Sequence, residues 1–153
     1  MKNGCICCTF RQDLIVTLNN LADRVKSGNL HLDGIIIETT GMANPAPVAQ
    51  SFFIDEGVKQ FTRLDGIITM VDAKHIEQHL DEEKAPDTMN GAVEQVAFAD
   101  RMILNKTDLV SEIDLERIEA RLQGINQFAP IQRSTQSQVS VDNVLNIKAF
   151  DLK

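Results

Sequence analysis

The chain has 153 residues, which is enough for about one domain with a sizeable core. Its composition, 43% hydrophobic and 24% charged, is that of an ordinary soluble globular protein. The formal net charge of −7 and the lack of a long basic run argue against non-specific binding to nucleic acid or to anionic membranes. Because there is no apolar stretch of roughly 20 residues and no signal-peptide pattern, we expect a cytoplasmic protein.

Helical and strand patterns alternate along the sequence. Thr9 and Gln12 make a capping box, and Asn44-Pro45 is typical of an N-cap followed by a first-turn proline. In chain order the predicted elements are a helix from Thr9 to Gly28, a strand at 35–37, a helix to Phe52, a short helix at 58–61, a strand at 67–71, a helix capped by Asp72, a loop at 81–86, a helix at 88–99, a strand at 102–104, a helix from Ser111 that stops before Pro130, a strand at 131–133 and a short helix at 141–145.

This alternation predicts an α/β fold with three layers, in which a mostly parallel sheet carries helices on both faces. Ligands of such sheets bind at the carboxyl ends of the strands. Three polar segments follow predicted strands: Glu38 to Gly41, Asp72, and Asn105 to Asp108. Their common placement predicts one ligand site.

The segment Asn105-Lys106-Thr107-Asp108 suits the recognition of guanine. The carboxylate of Asp108 can accept from the ring N–H and the exocyclic amine of guanine, and the Asn105 amide can donate toward O6. The Lys106 stem can lie over the base. Adenine would leave the carboxylate unpaired, at a cost of roughly 1–3 kcal/mol per buried group.

All three cysteines fall within four positions, as Cys5, Cys7 and Cys8. Three thiolates so close together offer soft ligands to Zn²⁺, with a fourth position left for water or an outside ligand. Their place before the predicted helix start should also favour the thiolate form. Two alternatives remain open: a reactive thiol cluster with no fixed metal, and small buried hydrophobic side chains.

Other polar residues admit two interpretations each. Glu38 can act through magnesium or position water, or it can be a surface carboxylate at a strand end. Asp72 can face a nucleotide pocket or simply cap a helix. His75 and His79 have the spacing of metal ligands on a helix, but their acidic neighbours favour a solvated face.

Four motifs together closely resemble the CobW-like family of P-loop GTPases, which are proposed metallochaperones for zinc or cobalt. They are Asn3-Gly4-Cys5-Ile6-Cys7-Cys8, Glu38-Thr39-Thr40-Gly41-Met42-Ala43-Asn44-Pro45, Val71-Asp72-Ala73 and Asn105-Lys106-Thr107-Asp108. The resemblance implies GTP or GDP with Mg²⁺ as cofactors, Zn²⁺ or Co²⁺ as the metal, and a metal-requiring client protein as partner.

The resemblance also implies roles for individual residues. The cysteine segment binds metal in that family, so it assigns Cys5, Cys7 and Cys8 as ligands. The Glu-x-x-Gly segment is the Walker B-like element near the γ-phosphate and magnesium, which assigns catalytic roles to Glu38 and Gly41. The Asn-Lys-x-Asp segment, here Asn105, Lys106 and Asp108, reads the base. The loop 134–137 falls where the family places a second base-contacting loop, although it matches no sharp motif.

The phosphate-binding pattern Gly-x-x-x-x-Gly-Lys-Ser/Thr does not occur in these 153 residues. We therefore expect residues 1–153 to be a partial nucleotide-binding domain, an incomplete P-loop NTPase fold without the N-terminal strand and phosphate loop and without the C-terminal domain. By itself it should bind guanine nucleotides poorly and hydrolyse no GTP, because the phosphates lack their main electrostatic partners. Unpaired sheet edges predict self-association into a homo-oligomer. The alternative function is a non-enzymatic metal- or thiol-binding α/β module.

Overall fold

A computed structural model describes residues 6–39, 41, 44–83 and 90–151, with side chains from residue 11 onward. The chain divides into two compact units. The first comprises residues 1–40 and 44–64, and the second comprises residues 41–43 and 65–153.

The first unit is helical. It contains α1 (Ile6–Lys26), α2 (Ala46–Ile54) and α3 (Glu56–Phe61), and the three helices contact one another. Gly28, at φ 76°, lets the chain turn out of α1 as predicted. The Asp55 side chain caps α3 by accepting from the backbone N–H of Val58 at 2.9 Å.

The second unit is built on a parallel sheet of three strands in the order β1-β2-β3. This arrangement confirms the predicted α/β class with parallel strands. In chain order its elements are β1 (Ile68–Asp72), α4 (Ile76–Leu80), α5 (Gly91–Ala97), β2 (Arg101–Asn105), the 3-10 helix Thr107–Leu109, α6 (Glu112–Ile125), β3 (Ile131–Arg133) and the 3-10 helix Val141–Asn143.

The core of this unit lies between the sheet and its helices. Met102 and Leu104 of the central strand β2 and Leu122 of α6 are fully buried. Asn126, just after α6, donates through its amide to three backbone carbonyls at 2.8–3.2 Å and accepts from two backbone N–H groups at 3.1 and 3.2 Å. A single side chain thus ties the end of α6 to the segments that precede β2 and β3.

Hydrogen bonds at both ends fix the register of β1 against β2. At the amino end, the backbone N–H of Ile67 donates to the Asp100 carboxylate at 2.7 Å. Burial raises the pKa of Asp100 above its usual range, and the bond from Ile67 opposes that rise. At the carboxyl end, the N–H of Ala73 donates to the carbonyl of Asn105 at 2.9 Å.

Two predicted elements of the first unit are wrong. The first helix begins at Ile6 rather than at Thr9. Residues 6–8 contain no proline or glycine, so the sequence has no helix-breaking residue between Ile6 and Thr9. Residues 35–37 form no strand, although they are β-branched. A strand needs a partner, no described strand pairs with this segment, and the Ile36 side chain is 83% exposed.

Elsewhere the predictions differ from the structure mainly at element ends. The helix predicted at 88–99 is shorter, since Asn90 caps α5 through its side chain. The short helix predicted at 141–145 is a 3-10 turn. Ser111 caps α6 as predicted, and the strand at 131–133 is confirmed. Part of the predicted loop at 81–86 lies outside the described residues.

No helix in the described parts of the chain is long and apolar enough to cross a membrane.

Candidate nucleotide site

The predicted base-reading segment lies at the carboxyl end of the central strand. Asn105 is the last residue of β2 and pairs in register with Asp72, the last residue of β1. The strand ends therefore place these two polar side chains next to each other, on the side of the sheet where α/β proteins bind ligands.

Lys106 is held in an unusual backbone conformation directly after the strand. Its φ of 62° and ψ of 33° lie in the left-handed region, which favours glycine. Its ammonium group contacts a carboxylate oxygen of Asp72 at 2.6 Å. The lysine side chain is thereby directed along the strand ends, although nearly half of it remains exposed.

Asp72 gathers three donors on one carboxylate. One oxygen accepts from the backbone N–H of Lys74 at 2.9 Å, and the other accepts from Lys106 and contacts His75 Nδ1 at 3.0 Å. Partial burial by itself would raise the pKa of Asp72. The bonds from Lys106, His75 and Lys74 outweigh it and lower the pKa from 3.8 to about 2. Asp72 is therefore ionised throughout the physiological pH range.

The prediction that Asp72 caps the next helix is wrong in its detail. Helix α4 begins at Ile76, and its N-cap position is His75, which makes no capping side-chain bond. Asp72 instead closes the tight turn that leads from β1 toward α4, where the N–H of His75 donates to the Asp72 carbonyl at 3.2 Å. Its second carboxylate oxygen is left for Lys106.

Asn105 holds the loop that follows β3. Its side-chain oxygen accepts from the backbone N–H of Ser137 at 2.9 Å, and its amide donates to the Ser137 hydroxyl at 3.0 Å. Gln136 and Ser137 have positive φ angles of 52° and 58°. The two bonds thus stabilise a stretch of loop that would otherwise favour glycine. One amide hydrogen of Asn105 remains for a ligand.

Thr107 makes a second tie to the same loop. Both its backbone N–H and its hydroxyl donate to the carbonyl of Ser134, at 3.2 and 3.0 Å. Ser134 itself is buried, and its N–H continues the β3 pairing by donating to the Leu104 carbonyl at 2.8 Å. The two loops at the carboxyl ends of β2 and β3 therefore form one connected rim.

The carboxylate of Asp108 has no hydrogen-bond partner among the described residues. Asp108 is the middle residue of the 3-10 helix Thr107–Leu109 and is exposed. Asn105, Lys106 and Thr107 each make a side-chain contact within the protein. Both oxygens of Asp108, in contrast, can accept bonds from a ligand.

The other predicted site residues are not brought to this rim by any described contact. Glu38 is exposed in an irregular stretch of the first unit, and Gly41 lies in an exposed turn assigned to the second. Glu38 therefore does not end a strand. A side chain at Gly41 would meet no atom within 4 Å, so steric crowding does not explain this glycine.

The cysteine cluster is placed only by its backbone. Cys7 and Cys8 lie in the first turn of α1, so the prediction that the cluster precedes the first helix is wrong for these two. Cys5 and the side chains of all three lie outside the described parts of the molecule. Among the described side chains, no group of three or more His, Cys, Asp and Glu residues could hold a metal ion.

Among the described residues, neither His75 nor His79 belongs to a group of three or more side chains that could hold a metal ion. His75 contacts Asp72, and His79 lies in the last turn of α4.

Comparison with known proteins identifies the family to which the chain belongs. The CobW/HypB/UreG nucleotide-binding domain matches residues 1–133, which includes every element from α1 to β3. The chain belongs to the CobW/HypB/UreG family. That assignment confirms the family resemblance of the sequence motifs.

The CobW/HypB/UreG relatives include two curated proteins of similar identity. The zinc chaperone YjiA of Escherichia coli K12 is 37% identical over 153 residues, which cover 100% of this chain and 46% of YjiA. The zinc-regulated GTPase metalloprotein activator 1 of Dictyostelium discoideum is 36% identical over 171 residues, covering 100% of this chain and 35% of that protein. The chain thus spans less than half the length of either relative.

A solved structure shows the same fold. The Zn(II)-bound YjiA GTPase from E. coli superimposes with a TM-score of 0.78 at 36% sequence identity, covering 89% of this chain and 40% of that one. The α/β architecture of this CobW/HypB/UreG member is therefore that of a known GTPase.

Two partners in the rim carried no clear signal in the sequence. Ser137 sits in a loop without a sharp motif, and its link to Asn105 spans 32 residues. The pairing of Asp72 with Lys106 spans 34 residues and likewise had no clear signal in the sequence. Only the placement of both segments after strands pointed to their meeting.

Proposed function

We propose that this chain supplies the guanine-reading part of a GTP-binding metallochaperone that delivers zinc. The observation that carries the proposal is the rim at the carboxyl ends of β1, β2 and β3. There Asn105 and Lys106 are fixed by contacts within the protein, and the Asp108 carboxylate is left with both oxygens available. The relatives named as zinc chaperones and zinc-regulated GTPases support the same function.

The proposed base contacts follow from the donor and acceptor groups. Guanine offers two adjacent donors, the ring N–H and the exocyclic amine, which match the two oxygens of Asp108. The remaining amide hydrogen of Asn105 would donate to guanine O6, and the Lys106 stem would cover one face of the ring. Adenine lacks the ring donor and would leave Asp108 unpaired.

We propose further that GTP is hydrolysed in the complete protein with Mg²⁺, and that Glu38 and Gly41 belong to the phosphate side of the site. Glu38 has the right chemistry, because an exposed carboxylate can bind Mg²⁺ directly or hold a water molecule. The glycine has no steric explanation in the described structure, which is compatible with a role toward a ligand.

Zinc is the proposed cargo, with cobalt as the second candidate, and Cys5, Cys7 and Cys8 are its proposed ligands. Thiolates suit Zn²⁺. Adjacent positions of a helix do not share a face. Binding of one ion by both Cys7 and Cys8 therefore favours a first turn of α1 that leaves helical geometry. We propose a metal-requiring client protein as the receiver of zinc, a second copy of the chain as a partner, and the cytoplasm as the location.

The base-reading proposal can be tested without the triphosphate. Amide NMR spectra of the chain are recorded during titration with GMP, IMP and AMP at millimolar concentrations. We expect GMP to shift the amides of residues 105–109 and 134–137, IMP to bind about fivefold to tenfold more weakly because it lacks the exocyclic amine, and AMP to cause no such shifts.

Asp108→Asn provides the decisive variant, because it removes one acceptor oxygen and should abolish the preference for GMP over IMP. Asp142→Asn is the matched control: Asp142 is also the exposed middle residue of a 3-10 helix, and its substitution changes the net charge equally. Equal shifts with GMP and AMP would refute guanine reading. If neither nucleotide binds while Zn²⁺ does, the chain is a non-enzymatic metal-binding module.

A further inference from the structure

The carboxylate of Asp72 has a contact that its place in the fold does not require. Closing the turn after β1 uses only one of its oxygens, which accepts from the Lys74 N–H. The other oxygen contacts His75 Nδ1 and also the ammonium group of Lys106, which follows the neighbouring strand. We propose that Asp72 is a positioning residue that directs the Lys106 side chain over the bound purine. This inference rests on the proposed guanine-reading function.

The backbone alone leaves Lys106 poorly constrained. It has a positive φ of 62° and follows Asn105, the last residue of β2 that pairs with β1. A free lysine stem populates many rotamers, and ordering it on ligand binding costs side-chain entropy. The contact with Asp72 selects a set of rotamers before the ligand arrives, which reduces that cost.

Asp72 is itself well fixed, as a positioning group must be. Its strand position is set by the register with Asn105, and its carboxylate is held by the Lys74 N–H and by His75 Nδ1. The Asp72 side chain is 30% exposed and Lys106 is 47% exposed, so both remain close enough to solvent for a ligand to approach. Because the sheet fixes Asp72, the contact with Asp72 restricts the position of the Lys106 side chain.

The pairing also determines which part of Lys106 meets the base. With its charge compensated by Asp72, the ammonium is kept at the strand ends, and the apolar stem is the surface offered to a ring. Contact with the face of a purine does not depend on the hydrogen-bonding groups at its edge. Asp72 should therefore affect the affinity for purine nucleotides but leave the choice between guanine and hypoxanthine to Asp108.

Asp72→Asn is a selective perturbation. The amide oxygen can still accept from the Lys74 N–H, and the amide N–H can donate to a neutral His75, so the turn is preserved. The charge that attracts Lys106 is lost, and the contact with His75 becomes one between neutral groups. We expect GMP and IMP to bind about threefold to fivefold more weakly, each by the same factor, in the NMR titration. Asp72→Glu, which restores the charge, should recover binding to within about twofold.

Glu77→Gln is the matched control. Glu77 lies in α4, its side chain is 29% exposed, and it is paired with Arg117 and Arg121 of α6 rather than with the rim. The substitution removes an ion-paired carboxylate of similar exposure. Any loss of GMP binding that comes from general destabilisation should therefore also occur in this variant. GMP affinity should remain within twofold of that of the wild type.

A double-mutant comparison separates positioning from a structural role. Lys106→Met keeps an apolar stem and removes the ammonium, so Asp72 then has nothing to direct. In the K106M background, D72N should cause no further loss of GMP affinity. An equal loss in both backgrounds, or unchanged GMP binding in D72N alone, would overturn the positioning role while leaving guanine reading intact. If the wild type shows no preference for GMP over AMP, the proposed function fails and the positioning role with it.

Discussion

Replacement of Asn105 by alanine should release the loop after β3. The side chain makes two hydrogen bonds to Ser137, and both partners lie near the surface. Each such bond contributes at the low end of the usual range, so their combined loss is about 1 kcal/mol in the free energy of unfolding. Relaxation of Gln136 and Ser137 out of the left-handed region returns part of that cost.

The local effect should exceed the global one. Hydrogen exchange of the Ser137 amide proton, which donates to Asn105, is expected to accelerate by at least tenfold in N105A. Exchange of the amides inside β2 and α6 should change only as much as global stability does. Urea denaturation measures the change in the free energy of unfolding, and amide exchange by NMR measures the local opening at Ser137.

Asn105→Asp is the matched control for this prediction. Aspartate keeps the oxygen that accepts from the Ser137 N–H, and the serine hydroxyl can reverse its role and donate. Exchange at Ser137 should then stay close to that of the wild type. Slow exchange at Ser137 in N105A would show that the loop is held by other contacts, and the reasoning that links the two loops through Asn105 would be refuted.

Three further predictions concern stability. The pKa of Asp72 is lowered in the folded state to about 2, so its contribution to stability is fully present above pH 3.8 and is lost as the pH falls through about 2. D72N should therefore be destabilised by about 1 kcal/mol at pH 7, after allowance for solvent screening. The difference from the wild type in acid denaturation should shrink as the pH falls toward 2 and disappear below it. Lys106→Gly should be more stable than Lys106→Ala by about 1 kcal/mol in urea, because only glycine adopts the φ of 62° without strain. Asn126→Asp should lower the free energy of unfolding by about 2–3 kcal/mol in the same assay, because a carboxylate cannot donate to the three carbonyls that the amide contacts. A decrease below about 0.5 kcal/mol would refute that role of Asn126.

Elements whose structure depends mainly on neighbouring residues were predicted correctly from local signals in the sequence. Ser111 at the start of α6 and the helical spacing of Leu115, Ile118 and Leu122 predicted a helix that the structure contains, with those three side chains buried. The apolar run at 102–104 predicted the central strand, because a strand covered on both faces has little choice but to be apolar.

The same reasoning failed where a structure depends on a distant partner. Residues 35–37 have strong β propensity, but propensity describes how well a side chain suits a sheet and does not supply the neighbouring strand. The placement of Asp72 and Asn105 at neighbouring strand ends was predictable, because parallel strand ends converge by topology, whereas the placement of Glu38 after a strand was wrong. Its internal bonds, such as Asn105 to Ser137, were not predictable, since nothing near either residue encodes the other.

The paired ends of β1 and β2 make the ligand rim dependent on residues far from it. The Asp100 bond to Ile67 locks the alignment of the two strands at one end, about 16 Å from Asp72 and Asn105 at the other. Slippage by one position would turn every side chain of the strand to the opposite face and separate the lysine from its carboxylate. Substitutions at Asp100 can therefore emerge in a genetic screen as nucleotide-binding defects, although the residue never approaches a nucleotide.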